Sequence, residues 1–519
     1  MSDRMRPFDV STPGLRAAVR SGVRSGVRCS LRCSVRWVVL VLPVCVRAAT
    51  GDEGLPLLPA PAASTMRPAF VAKGTELCVR CHRSEQSDWV DSSTTAVWRH
   101  DAHARAHLAL ESDNPRTRGM EEVLGIKAAT TAACVACHTH PAGEPAITEE
   151  TAVLHAGISC ETCHGAGSGY FEPHMEKSWR FLGSAEKEAF GMHDLRNPVR
   201  KAENCLSCHL GDVASGKVVT HAMYAAGHPP LPAFDVESFG RAMGPHWKRV
   251  WEKSPQIQAQ ADAAGYRTET ASESQRSLIA ALVSLRESAA VVADYAATPD
   301  DEGRGRPWPE LSLYDCQACH HELRVPSGRQ EAGYDALIPG RPSLVRWPRS
   351  LARVAFAEAG QPDALDAWLR TWNESLGGRP FGTPTRLPDA AALEEHATRI
   401  ERAIATLAAV PRDPTGGPAG RGRIAALAAA GARCGDLESA RLLGWVAITA
   451  SRESAAGPAD GRSAAIAALE SALSLGFPTP AYPQPPATER PFWQTSLSAA
   501  RDADLPRIRE AFRALSAGP

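Results

Sequence analysis

The sequence offers little that would take the chain into a membrane or onto a nucleic acid. It has 519 residues, of which 44% are hydrophobic, 22% charged and only 6% aromatic, and its formal net charge is −1. This composition excludes a wholly disordered chain and a polytopic membrane protein. The length allows about two to four domains.

The net charge is small because arginine at the N-terminus offsets an acidic remainder. The first 49 residues carry nine Arg and two Asp, which leaves a net charge of −8 for residues 50–519. A chain that is acidic over most of its length gives no support to nucleic-acid binding.

The N-terminus has the pattern of an export signal. Arginines recur every fourth residue from Arg16 to Arg36, and the ten-residue apolar run Trp37–Val46 follows them. As a helix this run would span about 15 Å, half of the hydrocarbon core of a bilayer. We therefore predict that residues 1–49 are a signal peptide and that the protein is periplasmic or otherwise exported. An uncleaved N-terminal anchor is the alternative.

Cysteine is the most informative residue type. Three of the 14 cysteines lie in residues 1–49, ten form five C-x-x-C-H motifs, and Cys434 is left over. The cysteine pairs of the motifs are Cys78 and Cys81, Cys134 and Cys137, Cys160 and Cys163, Cys205 and Cys208, and Cys316 and Cys319. The histidines that directly follow them are His82, His138, His164, His209 and His320.

C-x-x-C-H is the attachment signature of c-type haem. Two thiols three positions apart can add to the two vinyl groups of one porphyrin, and the adjacent imidazole can bind the iron. A thioredoxin-like redox site, half of a zinc ribbon and a secreted disulfide framework are alternatives for a C-x-x-C pair. None of them requires a histidine after the second cysteine in all five motifs. The sequence therefore predicts five covalent haem c groups.

The chain changes character near residue 345. The motifs lie before this point at uneven intervals that do not fit a repeat, and after it the sequence is rich in alanine. We predict a mainly α fold with many loops, in which residues 50–345 form a multihaem cytochrome c domain and residues 346–519 a helical C-terminal domain. Apolar periodicity predicts helices over 272–297, 350–359, 362–375, 389–410, 423–433, 436–452, 461–475 and 503–516.

Each haem iron has a second axial position, which another side chain can fill or which can stay open for chemistry. Eleven of the twelve histidines outside the motifs lie in the haem region, and His396 lies beyond it. This bias favours a second histidine on each iron. The candidate distal ligands are His103, His155, His174, His193, His221, His228 and His246.

Residues 75–230 resemble the cytochrome c-554 family of soluble multihaem electron carriers. Trp98 and the segment Asp101–Ala106 are similar to that family's Trp…Ala-His-Ala-x-Ala element. The third motif, within Gly157–Gly167, resembles its glycine-rich haem site, and the fourth motif also fits. The fifth motif and the alanine-rich C-terminal third depart from the family pattern. So does the stretch 223–247, which is similar to larger relatives.

The resemblance implies that His103 and His174 are distal ligands and that His174 serves the first haem. Which haem His103 serves is left open. His193 matches more loosely a family histidine that precedes the fourth motif. The second haem of the family has an open axial position, which His155 or His140 could fill in this sequence.

Three functions fit these observations. The first is electron transfer between redox partner proteins. The second is a haem-dependent oxidoreductase that acts on a small nitrogen or sulfur compound at one open haem. The third is a haem-based sensor or scaffold whose C-terminal helices read out the redox state. In the first and third cases, the C-terminal helical domain would be a docking module for protein partners.

Overall fold

The computed structural model of the protein describes eleven continuous segments and two single residues. They are residues 70–82, 94–139, 157–243, 246, 253–263, 271–296, 309–334, 337, 340–376, 388–410, 418–454, 462–473 and 503–516. The predicted signal peptide lies outside these residues.

Helices form the regular structure of the described residues, which confirms the predicted mainly α fold. The first ten are α1 (Thr75–Val79), α2 (Thr94–His100), α3 (Pro115–Leu124), α4 (Ala132–His138), α5 (Cys160–His164), α6 (Ser184–Ala189), α7 (Pro198–His209), α8 (His221–Ala226), α9 (Val236–Met243) and α10 (Pro255–Ala263). The others are α11 (Glu273–Ala296), α12 (Gly328–Ala332), α13 (Trp347–Glu358), α14 (Ala364–Leu376), α15 (Ala390–Ala409), α16 (Pro418–Gly431), α17 (Leu437–Glu453), α18 (Ser463–Leu473) and α19 (Leu505–Ser516).

Short 3₁₀ helices and loops connect many of the helices in the haem region. The 3₁₀ helices are His103–Leu110, Ala128–Thr130, Pro173–Met175, Lys177–Phe181, Leu311–Leu313 and Cys316–Ala318. Across the described segments, pairing between extended strands is limited to two isolated bridges, Asp212 with Lys217 and Tyr314 with Leu344.

Local sequence explains where the helices of the haem region begin. The Asn197 side chain accepts hydrogen bonds from the amides of Val199 and Arg200, and Pro198 takes the first helical position of α7. Proline costs nothing there because the first amide of a helix has no intrahelical acceptor. Asn114 and Pro115 start α3 in the same way. These caps set the direction of two helices that lead toward haem motifs.

Helix α11 is at the centre of the core. The side chains of Leu278, Ile279, Leu282 and Leu285 have no exposed surface, as expected for a helix surrounded by others. Helix α11 packs against α7 and α9 of the haem region and against α13, α15 and α17 of the C-terminal region. One hydrophobic cluster therefore crosses the predicted boundary at residue 345. None of the described helices combines the length and apolar character that a membrane span requires.

Candidate haem sites

Short helices present most of the C-x-x-C-H motifs. The second and third motifs lie in α4 and α5, and the fourth ends α7. The first motif begins in α1, and the fifth spans the 3₁₀ helix Cys316–Ala318. Residues three positions apart share one face of a helix, so this geometry brings the two cysteines of a motif to the same side. None of the ten motif cysteines forms a disulfide.

A second histidine faces the histidine of every motif. The distance between the two ring centroids varies only from 6.0 to 6.4 Å. The five pairs are His82 with His174, His138 with His228, His164 with His246, His209 with His103, and His320 with His221.

This separation fits one iron atom between two imidazoles. Two metal–nitrogen bonds of about 2 Å each, with roughly 1.1 Å from each nitrogen to its ring centroid, require about 6.3 Å between centroids. Direct stacking contact would bring the rings closer together. The residues present therefore fit five haem groups with an imidazole on each side of the iron.

Hydrogen bonds at Nδ1 orient three of the second histidines. His174 Nδ1 donates to the carbonyl of Tyr170 (3.1 Å), and His228 Nδ1 donates to that of Pro229 (2.7 Å). His103 Nδ1 donates to the buried carboxylate of Asp101 (2.6 Å). With Nδ1 engaged, Nε2 is the nitrogen that can bind a metal, and the hydrogen bond makes it more basic.

Burial keeps several of these imidazoles neutral. It lowers the pKa of His164 to about 4, of His209 to about 3 and of His228 to about 4. Burial acts in this direction because the charged imidazolium loses its hydration. A neutral imidazole retains the lone pair that a metal requires, so these rings are in the binding form near pH 7.

Comparison with known proteins identifies the region that contains the first three motifs. Residues 77–165 match the family model described as Cytochrome c554 and c-prime. The chain is also similar to cytochrome c-554 of Nitrosomonas europaea, with 25% identity over 200 residues, which are 36% of this chain and 80% of that protein. The chain contains a cytochrome c-554-like domain. No solved structure matches it.

The family confirms the predicted resemblance and the predicted class of cofactor, covalent haem c. The family match ends at residue 165, directly after the third motif.

Contacts between cysteines show how the motifs of the c-554-like region are arranged. The thiol of Cys78 in the first motif lies close enough to that of Cys160 in the third to affect its ionisation. The thiol of Cys137 in the second motif likewise lies close to that of Cys208 in the fourth. Cys163 of the third motif also lies near the two cysteines of the fourth. The motifs therefore adjoin in the order first, third, fourth, second.

Glu161, inside the third motif of the c-554-like domain, connects that motif to the first. Its buried carboxylate accepts hydrogen bonds of 2.7 Å from the amides of Lys73, Gly74 and Gly167. Lys73 and Gly74 directly precede α1, which carries Cys78. A charged acceptor that satisfies three amides holds the two segments in a defined relation.

Close backbone contacts explain two glycines of the third site. Gly165 has a φ of +82°, and a Cβ there would lie 2.1 Å from the carbonyl oxygen of Gly191. Gly157 has a φ of +50°, and a Cβ there would lie 2.3 Å from the carbonyl oxygen of Ala104. Both positions require glycine for conformation and for space.

Two candidate distal ligands, His193 and His155, are not among the five pairs. His193 Nδ1 donates to the carbonyl of Cys163 (3.2 Å), and the described residues include no motif histidine paired with its ring. His155, like His140, lies outside the described residues. His396 is buried among the C-terminal helices, where Nε2 lies 3.0 Å from Thr371 Oγ1.

Sequence reasoning did not identify the residues that orient the ligands. Asp101 holds His103, and Glu161 holds the first and third motifs together. A local signal existed for Asp101, because an Asp two residues before a His can accept from both its amide and its ring. No comparable signal existed for Glu161, since two of its three partners lie more than 80 positions earlier in the chain.

Proposed function

We propose that the protein is an exported c-type cytochrome that carries five covalent haems and transfers electrons between redox partner proteins. The observation that carries this proposal is the presence of five C-x-x-C-H motifs, each with a second histidine at the distance that an intervening iron requires. The family match supports the same class of cofactor and activity.

In this proposal each motif holds one haem by two thioether bonds and one imidazole. The second imidazoles are His174 for the first haem, His228 for the second, His246 for the third, His103 for the fourth and His221 for the fifth. The assignment of His174 agrees with the one that the family resemblance implies. His193 and His155 have no iron in this assignment.

Haem supplies reversible one-electron chemistry between ferric and ferrous iron when it is bound. The chain would bind each iron through two imidazoles, and hydrogen bonds at Nδ1 orient three of the second imidazoles. His164 and His209 are half-buried, and the lowered pKa of each ring keeps it in the neutral form that can bind iron. Rigid coordination of this kind favours electron transfer because little has to rearrange when the charge on the iron changes.

The paired histidines favour electron transfer over catalysis at an open haem. A small nitrogen or sulfur compound needs a vacant axial position to react at iron. In the proposed assignment a second imidazole takes that position at all five haems, including the second, where family resemblance implies an open site.

Export is the part of the proposal that rests on sequence alone. The arginine-rich leader and its apolar run support it, as does the presence of C-x-x-C-H motifs, because bacterial c-type haem is attached outside the cytoplasmic membrane. We also propose that the C-terminal helices are a docking module for a redox partner. Because their core is continuous with α11, surface substitutions test docking better than a truncation near residue 345.

Mass spectrometry and electron paramagnetic resonance together test the proposal. The purified exported protein should carry five adducts of about 0.6 kDa each that survive acid denaturation. The ferric protein should show only low-spin iron, and the ferrous protein should bind CO slowly because each iron already has two imidazoles. Fewer adducts would contradict the haem count. A stoichiometric high-spin ferric signal with rapid CO binding would favour the oxidoreductase.

A further inference from the structure

Helix α8 lies between two haem sites and contributes to both. Its first residue, His221, faces His320 of the fifth motif at 6.4 Å between centroids. His228, two residues beyond its last residue, faces His138 of the second motif at the same distance. At about 1.5 Å of rise per residue, seven positions separate the two Cα atoms by on the order of 10 Å.

The N-terminal end of α8 is attached to the segment before the fifth motif. The amide of His221 donates to Oε1 of Glu310 (2.7 Å), a buried residue six positions before Cys316. Thr220 caps the helix by accepting from the amide of Met223 (3.3 Å). The helix also packs on the 3₁₀ helix Leu311–Leu313.

The C-terminal end of α8 is attached to the side of the second motif. Gly227 ends the helix in the left-handed region with a φ of +119°, and the His228 amide then donates to the carbonyl of Met223 (2.9 Å). A Cβ on Gly227 would lie 3.7 Å from the side chain of Met120, so the turn that ends α8 lies beside α3. Helix α8 is thus held between α3 and the segment before the fifth motif.

Tyr224 fills the middle of this arrangement. Its ring centroid lies 6.1 Å from that of His228, and its hydroxyl accepts from the amide of Leu231 (3.4 Å). Burial raises the pKa of Tyr224 to about 12, and Cys316 of the fifth motif is among the groups that act on it electrostatically. The neutral phenol of Tyr224, which is itself a residue of α8, therefore lies between the two sites.

We propose that α8 joins the second and fifth haem sites into one unit, because the helix and the turn that ends it carry the distal ligands of both irons. The two sites then close together when α8 folds and open together when it unwinds. This inference rests on the proposed function. It also extends the order of adjoining sites to first, third, fourth, second, fifth, and so places the fifth haem at the end of the row opposite the first.

Both sites that α8 joins include departures from the c-554 pattern. The fifth motif and the stretch that holds Tyr224 and His228 are both departures from the c-554 pattern. A helix that brought a ligand to the second iron and another to the added fifth haem would explain why the two departures occur in one chain.

A proline in α8 tests the inference. Ala225 is exposed in the helix, and Ala225→Pro removes an amide that the helix needs. We expect Ala225→Pro holoprotein to lose two of five low-spin ferric signals at once and to gain two high-spin irons. His221→Ala and His228→Ala, which keep every backbone amide of the helix, should each open one iron and so identify the two signals. Ala468→Pro in α18, also at an exposed alanine, should leave all five irons low-spin.

Hydrogen exchange provides a second measurement that does not depend on the proline variant. In His228→Ala holoprotein the second iron no longer holds α8, so the amides of residues 221–226 should exchange faster, while His174→Ala should leave them unchanged. The inference is overturned if Ala225→Pro opens one iron or none, or if His228→Ala leaves exchange in α8 unaltered. Failure of the proposed function itself would be visible in the unsubstituted protein, as fewer than five adducts or a high-spin iron.

Discussion

At the scale of single residues, Glu161 shows how a side chain that binds no iron can set the relation of two haem sites. Its carboxylate is the acceptor for three amides from two segments. All three donors are uncharged backbone amides. Glu161 therefore stabilises the structure by accepting hydrogen bonds from amides that would otherwise lack an acceptor.

Removal of the Glu161 carboxylate should destabilise the holoprotein. Glu161→Ala leaves three amides without an acceptor, each at a cost of roughly 1–3 kcal/mol if water cannot replace it, so we expect a loss of at least about 3 kcal/mol in the free energy of unfolding. Denaturant unfolding followed by circular dichroism measures this loss. Glu76→Ala, at an exposed position in α1, is the control and should change stability by no more than about 0.5 kcal/mol. Equal effects of the two substitutions would show that Glu161 does not hold the segments.

Asp101 is the residue expected to tune one haem. Burial raises its pKa, but the ring and amide of His103 lower it further, so the carboxylate is ionised near pH 7. An ionised acceptor at Nδ1 increases the electron donation of the imidazole to the iron and stabilises the ferric state. Asp101→Asn should therefore raise the midpoint potential of the fourth haem while the iron stays low-spin.

A redox titration monitored by electron paramagnetic resonance measures that shift. Asp113→Asn, an exposed substitution nearby, provides the comparison and should leave all five potentials unchanged. An unchanged fourth potential in Asp101→Asn would mean that the carboxylate only positions the ring.

At the scale of helices, a buried ion-pair network joins α7, α9 and α11. Glu237 of α9 lies 3.0 Å from Lys201 Nζ of α7 and 3.2 Å from Arg276 Nη2 of α11, and its side chain is 5% exposed. Breaking a buried pair leaves the partner charges uncompensated, which costs more than the pair itself contributes. Since α7 carries the fourth motif, this network fixes the motif on the core.

Glu237→Gln should remove about 3–5 kcal/mol from the free energy of unfolding, because two buried cations then lack a counter-charge. Guanidinium titration measures this loss. The exposed pair of Glu510 and Arg513 provides a matched control, and Glu510→Gln should cost at most about 1 kcal/mol. A loss of similar size in both variants would contradict a buried network.

The same carboxylate predicts a pH dependence. Burial raises the pKa of Glu237, but Lys201 and Arg276 outweigh burial and hold it below the ordinary value. A lowered carboxyl pKa stabilises the fold above the unfolded pKa of about 4.3, and this contribution is lost as the pH falls through the folded pKa. Stability of the unsubstituted protein should therefore decline below about pH 4.5 more steeply than that of Glu237→Gln, as followed by unfolding at successive pH values.

Long helices were predictable and short ones were not. Periodicity predicts helices over 272–297 and 389–410, and the structure has Glu273–Ala296 and Ala390–Ala409. Helix α8, with only six residues, is too short to show such a periodicity. Its conformation depends on partners elsewhere in the chain, because an isolated helix of this length is not stable in water.

At the scale of the whole molecule, the five histidine pairs fall into two classes by the angle between their ring planes. The rings are nearly parallel in the pairs of His82 and His320, at 16° and 24°. They are nearly perpendicular in the pairs of His209, His138 and His164, at 76°, 83° and 88°. Parallel rings separate the energies of two iron d orbitals, whereas perpendicular rings leave them almost equal.

These angles predict two kinds of low-spin spectrum in one protein. The first and fifth haems should give rhombic ferric signals, and the second, third and fourth should give signals with a much larger highest g value. Low-temperature electron paramagnetic resonance of the fully oxidised protein distinguishes the two kinds. His174→Ala should remove one rhombic signal, and His246→Ala one large-g signal. Five signals of a single kind would contradict the ring geometry.

The sequence by itself determined how haem would be attached, and the tertiary structure decided which second ligand faces each motif. Attachment is local, because two thiols and an imidazole within five residues suffice, and such a motif can be read without knowledge of the fold. The second ligand must stand about 6 Å across the iron from the first, and only long-range packing provides that position. His103 and His209 are far apart in the chain and adjacent in space, whereas His193, nearer to His209 in the chain, bonds to a carbonyl of the third motif instead.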